Sequence, residues 1–163
     1  MTQEERLIKL DRMRYTKDKL SANLILLALV LDALYFISIY KTDVGTYYYT
    51  WVIGASIVYN LLFLLSAFLA SEGVKNRKSG YMGLLIFIGV MQVVRVFYLP
   101  AKAHAATVSI QNVEQAVMTD SQYYYTIALL IASGVCCVVA AINSYINTKN
   151  LANYMRSLEN QTV

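Results

Sequence analysis

The chain has 163 residues, enough for one domain, and 58% of them are hydrophobic while 15% are charged. Soluble domains usually have about half apolar and about a quarter charged residues, so this composition excludes an ordinary soluble domain. The net charge of +4 does not indicate a nucleic-acid partner, because the basic residues flank apolar blocks, where anionic lipid would attract them.

The first predicted element is an N-terminal helix in residues 1–19. Charged residues are mixed there with Leu7 and Ile8, and Glu5 and Lys9 have the i,i+4 spacing that stabilises a helix. We expect an amphipathic interfacial helix on the cytoplasmic face of a membrane, leading into the first apolar block.

Four apolar blocks follow, each about the ~20 residues that a helix needs to cross ~30 Å of hydrocarbon. They lack the alternation typical of membrane β-strands. The predicted fold class is therefore all-α: a polytopic membrane protein with a four-helix transmembrane bundle, an N-terminal interfacial helix and a short outer-loop helix. The predicted spans within the transmembrane domain 20–146 are 20–40, 48–70, 81–99 and 123–146.

The distribution of Lys and Arg predicts the orientation. Eleven of these residues lie before the first span, between spans two and three, or after the fourth, whereas the two remaining loops carry only Lys41 and Lys102. The side rich in basic residues normally faces the cytoplasm. We therefore expect a multi-pass protein of the plasma membrane with both termini in the cytoplasm.

Two connecting segments have helical patterns. In the outer segment 100–122, Ile110, Val113 and Val117 recur at helical spacing and predict a short helix, which is either a connector or, less readily, a lid over a pocket. The C-terminal segment 147–163 keeps apolar residues after the fourth span. We expect it to continue as a cytoplasmic helix that docks a partner, or to be a frayed tail.

Aromatic residues gather at the predicted outer boundary. Tyrosine and tryptophan are enriched where a membrane meets water, so an aromatic belt is the simpler interpretation. The alternative is an outer vestibule whose rings bind an apolar or cationic ligand. The candidate vestibule residues are Tyr47, Tyr48, Trp51, Tyr98 and Tyr124.

Polar side chains also occur inside the spans. Asp32 lies in span one, Asn60 follows Tyr59 in span two, and Gln92 and Arg95 lie one turn apart in span three. At ~1.5 Å per residue, the four polar groups lie about 15–21 Å from the cytoplasmic boundary and form one layer. A charge at the centre of a membrane helix costs about 2.5–3.5 kcal/mol, so such residues normally pair or line water.

We expect Asp32 and Arg95 to form an ion pair, with Asn60 and Gln92 completing the hydrogen bonds. The alternative for Arg95 is to extend to the outer headgroups. An ion pair of this kind would either fix helix register only or form part of a ligand site or pore lining, in which Tyr59 would take part.

Small residues recur on one stripe of span four, where they allow another helix to approach closely. They are Ala132, Cys136, Ala140 and Ser144. The cysteine is expected to pack rather than react. We expect no metal and no cofactor, because the one histidine, His104, has no cluster of cysteines or carboxylates beside it.

The sequence therefore favours transport or permeation, either alone as a homo-oligomer or as a membrane subunit of a transporter. The alternative is a non-catalytic scaffold or assembly subunit of a larger membrane complex. A weaker alternative is a binder of a lipid-soluble ligand in the aromatic vestibule. Catalysis is not favoured, because the sequence has no phosphate-binding loop and no nucleophile motif.

Overall fold

A computed structural model describes residues 3–15, 17–40, 51–110 and 113–159, and these residues are mostly helical. The elements are helices α1 (Gln3–Tyr15), α2 (Lys19–Tyr40), α3 (Trp51–Lys75), α4 (Gly80–Arg95) and α5 (Pro100–His104), strands β1 (Thr107–Ile110) and β2 (Val113–Ala116), and helix α6 (Asp120–Glu159). In the described ranges, four helical segments are long and apolar enough to cross a membrane: Lys19–Tyr40, Trp51–Lys75, Gly80–His104 and Asp120–Ser157. The prediction of a helical fold with four such segments is confirmed.

The ends of the helices differ from the predicted spans. The predicted loop 41–47, the first three residues of span 48–70 and the last four residues of the chain lie outside the described residues. Helix α6 has 40 residues and continues unbroken through residue 159. At ~1.5 Å per residue it is about 60 Å long, roughly twice the thickness of a hydrocarbon core.

Helix α4 ends earlier than the predicted span 81–99. After Arg95 the backbone tightens into i→i−3 hydrogen bonds, such as the 3.1 Å bond from Tyr98 N to Arg95 O. Pro100, which has no N–H to donate, then starts the short helix α5 at a position where proline is well tolerated. The connection between α4 and α6 thus contains a short helix that the sequence pattern did not place.

The prediction of a helix over Ile110, Val113 and Val117 is wrong. Strands β1 and β2 form an antiparallel hairpin instead, with Thr107 opposite Ala116 and Ile110 opposite Val113. The segment is rich in β-branched residues, which favour strands. The apolar residues that suggested a helical period are also consistent with two short strands joined by two residues.

The four long helices pack against one another in a defined order. Helix α6 contacts α2 and α4, and α3 also contacts α2 and α4. Large apolar side chains remain exposed along α3. They include Val58, Leu61, Leu62, Leu65 and Phe68.

The core consists of two apolar clusters. One cluster includes Ile25 and Ala28 of α2, Ile88 of α4 and Cys137 of α6. The other includes Tyr35 and Ile39 of α2, Val96 and Leu99 beyond α4, and Leu129 and Leu130 of α6. Along α2, Asp32 lies between the members of the two clusters, and Gln92 of α4 does the same along its segment. The polar layer therefore separates the two apolar clusters.

Candidate functional site

The candidate site is a group of buried polar side chains at the level between the two apolar clusters. Asp32 of α2 is fully buried, and Arg95, the last residue of α4, is 6% exposed. Arg95 Nη1 donates a hydrogen bond of 2.9 Å to Asp32 Oδ1, which also makes the two residues an ion pair. The pair has no net charge, which reduces the cost of burying both groups.

Two amides complete this arrangement, which we call the polar centre (Asp32, Asn60, Gln92 and Arg95). Gln92 Nε2 donates to Asp32 Oδ1 at 2.9 Å, and Arg95 Nη2 donates to Asn60 Oδ1 at 2.9 Å. Gln92 precedes Arg95 by three residues, so both side chains leave one face of α4. The polar centre therefore joins α2, α3 and α4.

Two tyrosine rings flank the guanidinium group of Arg95. The distance from Arg95 Cζ to the ring centroid is 4.4 Å for Tyr35 and 4.9 Å for Tyr59. A cation over an aromatic face is stabilised by about 0.5–2 kcal/mol, and most strongly where water is excluded. Sequence reasoning included Tyr59 but missed Tyr35, although Tyr35 lies one turn after Asp32 on α2.

Several buried polar atoms around the polar centre have no hydrogen-bond partner among the described residues. They are Asp32 Oδ2, Gln92 Oε1, the Tyr35 hydroxyl and Ser56 Oγ. Two of these atoms are acceptors only, because a carboxylate and an amide oxygen accept but do not donate. The polar centre can therefore accept hydrogen bonds from a further donor, such as water or a polar ligand.

Two of the predicted vestibule residues, Trp51 and Tyr98, lie at a groove and a cavity that share Ala55 and Tyr59. Trp51 is 87% exposed and lies on an apolar groove of α3, while Tyr98 lines a cavity beside Arg95. Tyr124, near the start of α6, is exposed. Tyr47 and Tyr48 lie outside the described residues.

The predicted packing stripe of α6 lies partly in the core. Ala140 and Ser144 are buried, whereas Ala132 and Cys136 are half-buried. A close approach between helices, which sequence reasoning missed, is between Gly89 of α4 and Gly134 of α6. A Cβ atom added at Gly134 would lie 2.8 Å from Gly89 O.

A second polar cluster, at the start of α2, was also missed. Asp18 is 6% exposed, accepts 3.2 and 2.9 Å hydrogen bonds from the backbone N and Oγ of Ser21, and thus caps α2. Asn147 of α6 donates to Asp18 Oδ2 at 3.2 Å, and Asn143 donates to Ser21 Oγ at 2.7 Å. The Asp-x-x-Ser spacing at the start of an apolar run was the signal for this cap.

His104, expected to be a lone side chain, contacts the start of α6. Its Nε2 lies 2.8 Å from Asp120 Oδ1, and its ring stacks on Tyr123 with centroids 4.2 Å apart. In the ranges that the structure describes, no group of three or more His, Cys, Asp or Glu side chains could hold a metal ion.

The fold and the polar centre define a class of protein: a mostly helical chain with four helices long and apolar enough to cross a membrane and a charged pair buried among them. Comparison of the chain with protein-family models, curated proteins and solved structures found no match.

Proposed function

We propose that this chain is an integral protein of the plasma membrane with both termini in the cytoplasm. The four apolar helices support insertion, because their exposed faces carry large hydrophobic side chains that water would not favour. The eleven basic residues on one side support the orientation. Reporter fusions at the C-terminus and within the 107–116 hairpin test this topology, and activity of a cytoplasmic reporter at the hairpin would contradict it.

Within that membrane, we propose that the protein serves transport or permeation of a small solute that interacts with the polar centre. The observation that carries this proposal is the buried Asp32–Arg95 pair, beside which lie acceptors that have no hydrogen-bond partner among the described residues. Ionisable groups inside a membrane are costly and usually mark a solute or ion pathway. An ion pair whose only role was to fix helix register would not need further acceptors that lack a partner among the described residues.

We do not propose that a solute passes through a single chain in this closed conformation. The polar centre lies between two packed apolar clusters, so a solute would need a rearrangement of the helices or a path between protomers. The exposed apolar face of α6, with Val135, Val139 and Ile142, provides a surface for a second copy of the chain. We therefore propose a homo-oligomer, or association with other membrane subunits, as the active form.

Flux into proteoliposomes tests this function. A pH-sensitive dye inside the vesicles reports proton flux, and stopped-flow light scattering reports the entry of small uncharged solutes. We expect wild-type protein to increase at least one flux and Asp32→Asn to abolish or alter it in vesicles in which circular dichroism shows that the variant is folded. Glu72→Gln is the matched control, because Glu72 is exposed and pairs only with Lys75 among the described residues. Equal flux for wild type and Asp32→Asn would refute the proposal.

A second candidate function is a non-catalytic subunit of a larger membrane complex. Helix α6 extends well beyond the length of a span and packs there against α1, where the Tyr154 hydroxyl donates to Arg6 O at 3.1 Å. This helical pair would form a cytoplasmic docking surface. Purification in mild detergent tests it: a stable foreign membrane subunit that is lost with Tyr154→Ala supports this candidate, and a lone homo-oligomer contradicts it.

A further inference from the structure

A cavity lies between the outer halves of α3 and α4, beside the polar centre. Its volume is about 290 Å³, near the lower end of the ~300–1,000 Å³ typical of ligand pockets. Its lining residues are Ala55, Ser56, Tyr59, Met91, Val94, Arg95 and Tyr98. The outer half of α3 contributes little to the apolar cluster that includes Tyr35 and Leu99. Among the described residues of α3, only Val52 packs against that cluster. The two helices therefore leave space between them at this level.

Two polar residues of the lining have hydrogen-bonding capacity that the described residues do not use. Ser56 is 3% exposed, and its hydroxyl has no hydrogen-bond partner among the described residues. Burying a hydroxyl without a partner costs about 1–3 kcal/mol, so a polar ligand atom here would be stabilising. Arg95 also lines the cavity, and its bonds to Asp32 and Asn60 use fewer donors than the five that a guanidinium carries.

The charge of the site favours a neutral head group. The positive charge of Arg95 is already balanced by Asp32, whose Oδ1 accepts its hydrogen bond at 2.9 Å. The remaining lining is mostly apolar or aromatic. A free carboxylate or phosphate would meet no uncompensated positive charge here and would lose its hydration, which is costly.

An apolar groove adjoins the cavity on α3 and shares Ala55 and Tyr59 with it. The groove also includes Trp51, Val58 and Leu62. Trp51 and Leu62 are exposed on the surface that we propose faces lipid. A hydrocarbon chain could therefore lie in the groove while its polar end occupies the cavity.

We propose that this cavity binds an amphiphile with a single apolar chain and a small uncharged head group that carries a hydroxyl or a carbonyl. The head group would bind Ser56 and Arg95, and the chain would leave along the groove of α3. This inference deepens the proposed function, on which it rests, by naming the class of molecule that reaches the polar centre. The same chemistry occurs in membrane monoacylglycerols and in free long-chain alcohols.

Photoaffinity labelling of the full-length chain in proteoliposomes tests the inference. The probes are a long-chain alcohol and a fatty acid of equal length, each with a diazirine in its chain, and labelled residues are mapped by mass spectrometry. We expect the alcohol to label peptides that contain Ala55–Tyr59 or Met91–Tyr98. Competition with an unlabelled monoacylglycerol and an unlabelled alcohol distinguishes the two sources of ligand.

Three variants define the outcome. Ala55→Phe fills the cavity and should remove the labelling. Ser56→Ala should lower the apparent affinity for the alcohol about fivefold, the effect of losing one neutral hydrogen bond. Leu65→Phe, a matched substitution at an exposed position on the inner half of α3, should leave the labelling unchanged.

Two results would overturn the inference: equal labelling of wild type and Ala55→Phe, or stronger labelling by the fatty acid than by the alcohol. Failure of the proposed function is a separate result. Unchanged solute flux in Asp32→Asn refutes transport at the polar centre, whereas alcohol labelling that depends on Ala55 and Ser56 would still establish the cavity as a binding site.

Discussion

Asp32 and Arg95 lie 63 residues apart in the chain, yet Arg95 Nη1 donates a hydrogen bond of 2.9 Å to Asp32 Oδ1. The partners are carried by α2 and α4, which both pack against α6. A charge this deeply buried is tolerated because its partner lies in direct contact. The pair therefore couples the relative positions of α2 and α4, and Asn60 extends this coupling to α3.

Breaking the ion pair from one side should destabilise the protein more than removing both charges. Asp32→Asn and Arg95→Gln each leave one buried charge without its partner, and such changes cost about 3–5 kcal/mol. The double variant leaves no charge and should recover much of this loss. Thermal unfolding in detergent measures the effect, with Glu72→Gln as the control. A double variant less stable than either single variant would contradict this assignment.

The contact between Gly89 and Gly134 should tolerate no side chain. Gly134→Ala places a Cβ atom 2.8 Å from Gly89 O, so α4 and α6 must separate, and we expect a loss of about 1–3 kcal/mol. Gly83→Ala is the matched control, because a Cβ atom there has no neighbour within 4 Å. Alanine also favours a helix over glycine by up to about 1 kcal/mol. Equal unfolding temperatures for the two variants would show that the helices do not meet at Gly134.

The sequence was sufficient to find the members of the polar centre but not the contacts that hold the helices together. Asp32 and Arg95 are evident because charges are rare in apolar runs, and counting residues from the predicted boundary places them at similar depth. The approach of Gly89 to Gly134 depends on the register between two helices. No pattern within either helix encodes that register, and the chain contains seven glycines.

The connection between α4 and α6 shows a different limit of sequence reasoning. Ile110, Val113 and Val117 fit a helical period, but short apolar runs also fit strands, and β-branched residues favour the hairpin that forms. Each strand is stabilised by pairing with the facing strand. The sequence of one strand does not identify the segment with which it pairs.

The Asp18 cluster should contribute substantially to stability. Asp18→Ala removes the N-cap of α2, which usually costs about 0.5–2 kcal/mol, and also removes an acceptor for Asn147. Asp11→Ala is the control, because Asp11 is exposed on α1. Thermal unfolding of both variants in detergent measures the difference. A stability loss for Asp18→Ala no greater than for Asp11→Ala would mean that the cluster does not fix the start of α2.

The turn between α3 and α4 offers a stabilising substitution. Arg77 has a φ of 55°, a left-handed conformation that is unfavourable for residues other than glycine. Its N donates to Val74 O at 2.8 Å and Lys78 N donates to Gly73 O at 3.0 Å, the two bonds of a helix-ending motif that usually has glycine at this position. Arg77→Gly should therefore stabilise the protein by about 1 kcal/mol. Lys78→Gly, the adjacent control without a left-handed backbone, should be neutral or destabilising, and a higher unfolding temperature for Lys78→Gly than for Arg77→Gly would contradict this account of the turn.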